Sequence, residues 1–213
     1  MRDRIYRWTV LFLLAAASAC GCSEGAEKSA RPLSPSGLAG IEIPEPTPKP
    51  DFRLTTTDGK PFSLRRDTDG YLTLLFFGYT HCPDVCPLHM ANIAAVLRKL
   101  PPSMTDSIKV VVVTTDPARD TPEVLRAWLD HFDRSFIGLT GTEKELFAAE
   151  EAAGVMPSMP DRADSTGSYT IGHAAQVTAF TADNMARAVY PSGTRQAEWA
   201  HDIPLLVSLG RKK

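Results

Sequence analysis

Apolar and polar positions along the chain predict strands and helices in a definite order. Phe52-Arg53-Leu54-Thr55 alternates apolar and polar residues, Asp58-Gly59 is a hairpin turn signal, and Pro61-Phe62-Ser63-Leu64 supplies the returning strand. An apolar run at 71–77, interrupted only by Thr73, reads as a buried strand, and 84–100 reads as a helix stopped by Pro101-Pro102. The valine-rich run 108–114 predicts a central strand broken by Asp116-Pro117. Thr121-Pro122-Glu123 opens a second helix, with a capping hydroxyl and proline at the first helical position, running to about 132. A short strand at 136–139 precedes a helix over 142–153 that ends at Gly154. Residues 155–167 form a loop rich in Met, Pro and Asp. Residues 169–171 and 175–180 are strand-like, 186–190 pairs with the latter as a hairpin, and 194–209 is a terminal helix containing Pro204. Strands alternating with helices, then a hairpin and a helix, predict an α/β fold: a central mixed sheet flanked by helices, with an N-terminal β-hairpin.

Upstream of this pattern the chain changes character. Residues 23–50 carry Pro32, Pro35, Pro44, Pro46, Pro48 and Pro50 with Ser, Ala and Glu between them. Such a composition reads as a semi-extended tether over 20–50, with the domain occupying 51–213. The first residues have a targeting layout: Arg2, Arg4 and Arg7, then a short apolar run over 9–17, then small residues before Cys20. Residues 1–19 therefore read as a secretory signal. A cysteine straight after small residues resembles a bacterial lipoprotein signal with Cys20 as the lipidated residue. Ala17 stands where leucine is more usual, Cys22 is a weaker candidate, and an uncleaved anchor or a plain cleaved signal remain alternatives. The layout places the domain in the bacterial cell envelope, membrane-anchored on the extracytoplasmic, periplasmic side. A formal net charge of −2 offers no basic footprint for nucleic acid.

The chemistry concentrates in Gly78-Tyr79-Thr80-His81-Cys82-Pro83-Asp84-Val85-Cys86-Pro87. Cys82 and Cys86 sit where a strand turns into a helix, and their spacing can put both sulfurs on one side of that junction. The partial positive charge of a helix N-terminus lowers thiol pKa. Two adjacent thiolates are a soft pair suited to Cu(I) or zinc, and are also close enough to oxidise to a disulfide. Metal binding and thiol redox chemistry are the two candidate activities. A purely structural bridge is disfavoured, because so small a loop restricts few unfolded conformations. A cysteine pair after the first central strand also fits a thioredoxin-like fold.

Taken in order, the motifs make the chain resemble the SCO/SenC family of copper-binding thioredoxin-like proteins over roughly 51–206. The cysteine loop resembles the family's metal-binding loop, with its three-residue spacer. Asp116-Pro117-Ala118-Arg119-Asp120-Thr121-Pro122 resembles a second hallmark, and Gly138-Leu139-Thr140-Gly141-Thr142 a third. His173 stands where the family places its histidine ligand, although Gly172 and Ala174 replace the aspartate and serine that often flank it. The resemblance implies a metal site of Cys82, Cys86 and His173 that carries copper. It also implies a role in assembling the binuclear copper centre of cytochrome c oxidase, with that enzyme's copper-bearing subunit or another copper carrier as partner. A thiol–disulfide reductase that keeps the cysteines of such a centre reduced is the alternative, using Cys82 and Cys86 as its redox pair. A general oxidant or peroxidase fits less well, because such proteins usually place two residues between the cysteines and a proline facing them. A copper or redox sensor is a fourth reading.

The remaining candidates have plainer readings. His81 can tune Cys82 or be simply exposed. His89 reads as solvated, and His131 and His201 show no partner. Met156 and Met159 read as loop packing rather than thioether ligands. Asp84 reads as a helix cap, and Asp116, Arg119 and Asp120 as residues that hold the loop by ion pairing, with contact to a partner protein as the alternative.

Overall fold

A computed structural model describes residues 33–210 apart from 162, 164, 166 and 167; the expected leader, Cys20 and Cys22 lie outside the described residues. The elements are β1 (Ile41–Pro48), β2 (Arg53–Thr56), β3 (Pro61–Ser63), α1 (Leu64–Asp67), β4 (Leu72–Gly78), α2 (Val85–Leu97), α3 (Pro102–Thr105) and β5 (Ile108–Thr114). There follow α4 (Pro122–Asp130), β6 (Ile137–Thr140), α5 (Glu143–Ala152), β7 (Met159–Pro160), β8 (Ile171–Gly172), β9 (Val177–Phe180), β10 (Met185–Tyr190) and α6 (Gln196–Leu209). Eight strands form one sheet in the order β1-β10-β9-β4-β5-β6-β2-β3, and β7 pairs with β8 separately. The neighbours β4, β5 and β6 run parallel, and the flanking pairs run antiparallel.

The central strand explains the layering. All seven residues of β4 are buried, as its largely apolar run requires. Successive side chains point to opposite faces. Leu72, Leu74 and Phe76 join a core with Met90 and Ile93 of α2 and Trp199 and Ile203 of α6. Leu75 and Phe77 join the opposite core with Leu146 and Ala149 of α5. Local signals set the helix starts. The Thr121 hydroxyl accepts from the Val124 amide, with Pro122 in the first turn, and Thr142 and Glu145 form a reciprocal capping box. The mixed sheet flanked by helices and the β2–β3 hairpin are as the sequence predicts.

The tether reading of 33–50 is corrected. Residues 41–48 are an edge strand, with Ile41 opposite Val189 and Pro48 opposite Met185. Leu38 is buried in the core beside α6, and the amides of Ala39 and Gly40 donate to the buried Asp202 carboxylate at 2.9 and 2.8 Å. Prolines are compatible with this because β1 has only one partner, and its register shifts between Glu42 and Thr47, where Pro44 and Pro46 lie.

Lys49, just beyond β1, is fully buried. Its ammonium donates to the Thr68 carbonyl and to the Thr68 and Thr73 hydroxyls at 2.8–2.9 Å. Burial lowers its pKa from 10.5 to about 8. Between those pH values the unfolded chain holds a proton that the folded chain has released, so stability rises with pH across the window and the gain is lost as pH falls to about 8. In urea titrations the wild type should gain on a Lys49→Met variant over that window. A flat difference would contradict the burial.

Candidate metal centre

The site begins where β4 ends. Residues 79–84 make the strand-to-helix turn, with Cys82 in it and Cys86 in the first turn of α2. Gly78 permits the close approach: a Cβ there would lie 2.9 Å from Cys86 Sγ and 2.4 Å from a Phe76 ring carbon. A Gly78→Ala variant should therefore displace that sulfur or ring. Metal affinity should fall roughly tenfold or more, with a stability cost of about 1–3 kcal/mol. Competition with a chelator would show whether affinity is unchanged, which would contradict the packing argument.

Asp120 holds the turn. Its buried carboxylate accepts from the Thr80 amide at 3.0 Å, the Thr80 hydroxyl at 2.6 Å and the Thr114 hydroxyl at 2.7 Å. The expected ion pairing is thus confined mainly to Arg119 with Asp116. Asp84 occupies the N-cap position of α2 but makes no side-chain cap bond. Cys82 Sγ takes that place, accepting from the Cys86 amide at 3.4 Å.

His173 is carried by the segment between β8 and β9, which is fastened on both sides of it. Upstream, the Ile171 amide donates to the Tyr79 hydroxyl at 3.1 Å. Arg119 Nη1 donates to the Tyr169 carbonyl at 2.9 Å, and its guanidinium lies 3.6 Å from the Tyr169 ring centre. The Tyr169 hydroxyl donates to Asp116 at 3.0 Å. Downstream, His89 Nε2 donates to the Ala175 carbonyl at 3.2 Å. The expectation that His89 is solvated is corrected: it is 2% exposed, against Phe76 and Trp199, and burial lowers its pKa. The signal was available, since Cys86, His89, Met90 and Ile93 follow the spacing of one buried helix face.

The structure brings together Cys82, Cys86 and His173. Their ligand atoms all lie within 4.8 Å of one another, with Cys86 Sγ 3.6 Å from His173 Nε2. The His173 Nδ1 lies 3.2 Å from the Ala174 carbonyl. A carbonyl only accepts, so Nδ1 carries the proton and Nε2 keeps its lone pair for the sulfurs' side. That carbonyl orients the ring where a flanking carboxylate is lacking. The rings of Phe76 and Tyr79 meet the imidazole edge-on at 5.9 and 5.6 Å.

Both thiols are unbridged, Cys86 buried and Cys82 half-buried. The two behave oppositely. Hydrogen bonding from Cys86 pulls the Cys82 pKa well down, helped by the Asp84 and Cys86 amides and opposed by burial. Sharing that bond with Cys82, together with burial, pushes Cys86 up. At neutral pH the pair is one thiolate and one thiol. Two sulfurs and one imidazole form a low-coordinate donor set that fits a soft ion.

The other candidates fall outside this cluster. His81 is half-exposed, with Nδ1 3.0 Å from the Thr80 hydroxyl and 3.8 Å from Asp120. His131 caps α4, and His201 Nδ1 lies 2.6 Å from Asp202. Met156 and Met159 are exposed. The sequence reading missed Tyr79 and Tyr169 as positioning residues because their partners, Ile171 and Asp116, are remote in the chain, and Gly78 because the close approach it permits shows only in the folded turn.

A family model described as SCO1/SenC matches residues 42–208. The chain is 34% identical over 122 residues to the mitochondrial protein SCO2 of Saccharomyces cerevisiae, covering 57% of this chain and 40% of the yeast protein. It thus spans less than half of that relative. The solution structure of apo Sco1 from Thermus thermophilus superposes with a TM-score of 0.71 at 30% identity, over 80% of this chain and 97% of the other. Bradyrhizobium japonicum ScoI, solved with copper bound, gives 0.67 at 30% identity, over 76% and 100%.

Proposed function

The chain belongs to the SCO1/SenC family, and from that footing we propose that it is a copper carrier. It holds Cu(I) or Cu(II) on Cys82, Cys86 and His173 and serves assembly of the binuclear copper centre of cytochrome c oxidase. The observation that carries this reading is the convergence of two sulfurs and one imidazole nitrogen within 4.8 Å. The copper bound to Bradyrhizobium japonicum ScoI supports the choice of metal.

The residues divide the work. Cys82 is the thiolate that receives the ion, since its sulfur is already charged and half-open to solvent. Cys86 gives up its proton as the ion enters, so binding releases protons. His173 closes the site with Nε2. A three-donor site with one open thiolate passes its ion on by ligand exchange with an incoming donor, which a closed four-donor site resists. In the same reading, lipid on Cys20 anchors the domain in the bacterial cell envelope, on the extracytoplasmic side. Among the described residues no helix is long and apolar enough to cross a membrane.

The pairing of a depressed, half-open Cys82 with a protonated Cys86 also favours thiol–disulfide reduction as a second reading. There Cys82 attacks a partner disulfide, and Cys86 then displaces the partner's second thiolate, leaving Cys82–Cys86 oxidised and the partner reduced. The test is to mix the copper-loaded chain with a copper-free, reduced oxidase copper subunit and follow copper by absorbance. Transfer by the wild type and none by His173→Ala is expected. Copper held and delivered equally well by His173→Ala would overturn the three-ligand carrier, whereas reductase activity should survive that substitution.

A further inference from the structure

A cleft of about 460 Å³ opens behind the segment that carries His173, outside the metal cluster. Its walls come from the turn after β5 (Thr115, Asp116), one face of α5 (Glu143, Phe147, Glu150) and the segment around Tyr169. The lining includes four carboxylates, Asp116, Glu143, Glu150 and Asp161, and no lysine or arginine among the described residues. Asp116 is engaged by Arg119 and Tyr169. Glu150 is different. It is 2% exposed, and its Oε2 accepts from the Ser158 amide at 3.0 Å, but its Oε1 is buried without a partner. Thr115 Oγ1, from another element lining the same cleft, is also buried without a partner. An orphaned buried carboxylate oxygen is costly unless something donates to it. Phe147 lines the same cleft, 47% exposed, with Leu146 and Pro160 among the other apolar lining residues.

We propose that this cleft docks a partner protein through an arginine or lysine set among apolar residues, the cation donating to Glu150 Oε1 and Thr115 Oγ1 while its neighbours cover Phe147. Charge selects the cation: among the described residues the lining carries four carboxylates and no lysine or arginine, while Arg119, outside the lining, is already engaged with Asp116 and Tyr169, and a charge-assisted bond replaces an unmade one. The apolar surround selects a peptide segment over a bare ion. One wall, Tyr169 and Ile171, leads straight into His173, so the occupant sits against a ligand-bearing segment. That the occupant is the protein receiving copper rests on the carrier reading; the binding itself does not.

The test uses the full chain and the tripeptide acetyl-Leu-Arg-Leu-amide, followed by backbone amide shifts. Saturable binding at millimolar concentration is expected, with shifts centred on Thr115, Phe147 and Glu150. The citrulline analogue, equal in shape but uncharged, should bind roughly tenfold more weakly, as should Glu150→Gln, while copper stoichiometry is unchanged. Phe147→Ala, at an exposed position, should weaken binding several-fold without threatening the fold. No shifts at several millimolar, equal affinity for the citrulline peptide, or full affinity in both variants would overturn the proposal. Peptide binding by a chain that fails to take up copper would support the cleft while removing the carrier reading.

Discussion

A fragment beginning at Asp51 should fail to fold stably, although composition alone marks that residue as the start of the domain. It would lack β1, leaving β10 an open edge with unpaired backbone groups. It would also lack Leu38, 1% exposed beside α6, whose burial contributes roughly 2 kcal/mol. The Ala39 and Gly40 amides would no longer reach Asp202, leaving a fully buried carboxylate with fewer donors. Hydrogen bonds to a charged group contribute roughly 1.5–3 kcal/mol each. The combined loss is on the order of 5–8 kcal/mol, a large share of the roughly 5–15 kcal/mol that holds an ordinary domain together. Circular dichroism melts of the fragment against the full chain would show this. Cooperative unfolding of the fragment within a few degrees of the full chain would contradict the placement of β1.

Replacing Cys86 by serine should abolish stoichiometric copper binding. A serine hydroxyl stays protonated and is a hard donor, so the soft pair is reduced to one sulfur. The affinity loss should exceed the roughly 10- to 100-fold that follows removal of a group that merely orients a ligand. Cys86 is fully buried, so Cys82→Ser, at the half-open position, serves as the partner variant with less effect on the fold. In the wild type, copper affinity should rise roughly tenfold per pH unit around neutrality, because the proton held on Cys86 leaves on binding. Affinity independent of pH would show that the pair does not share a proton.

Much of this was legible in the residue pattern, for identifiable reasons. The β4 run and its valine-rich neighbour β5 could only be buried strands, and capping residues marked where α4 and α5 begin. Cys82 and Cys86 were readable because strand, turn and helix are contiguous. His173 was not readable in that way: it lies 87 residues from Cys86, and only the ordered motifs of a known family pointed to it. Residues 33–50 misled because proline reads as tether in a composition count, while an edge strand with a register shift accommodates it. His89 misled because a polar side chain on an apolar helix face satisfies itself with one distant carbonyl, that of Ala175. The unpaired oxygen of Glu150 has no signature in the chain at all, since it depends on what α5 packs against.

The most direct measurement is X-ray absorption at the copper edge on the Cu(I)-loaded full chain, wild type beside His173→Ala. One copper per chain bound by two sulfurs and one nitrogen is predicted, with the nitrogen lost and affinity weakened in the variant. An unchanged spectrum in the variant, or a copper bound without both sulfurs, would contradict the account.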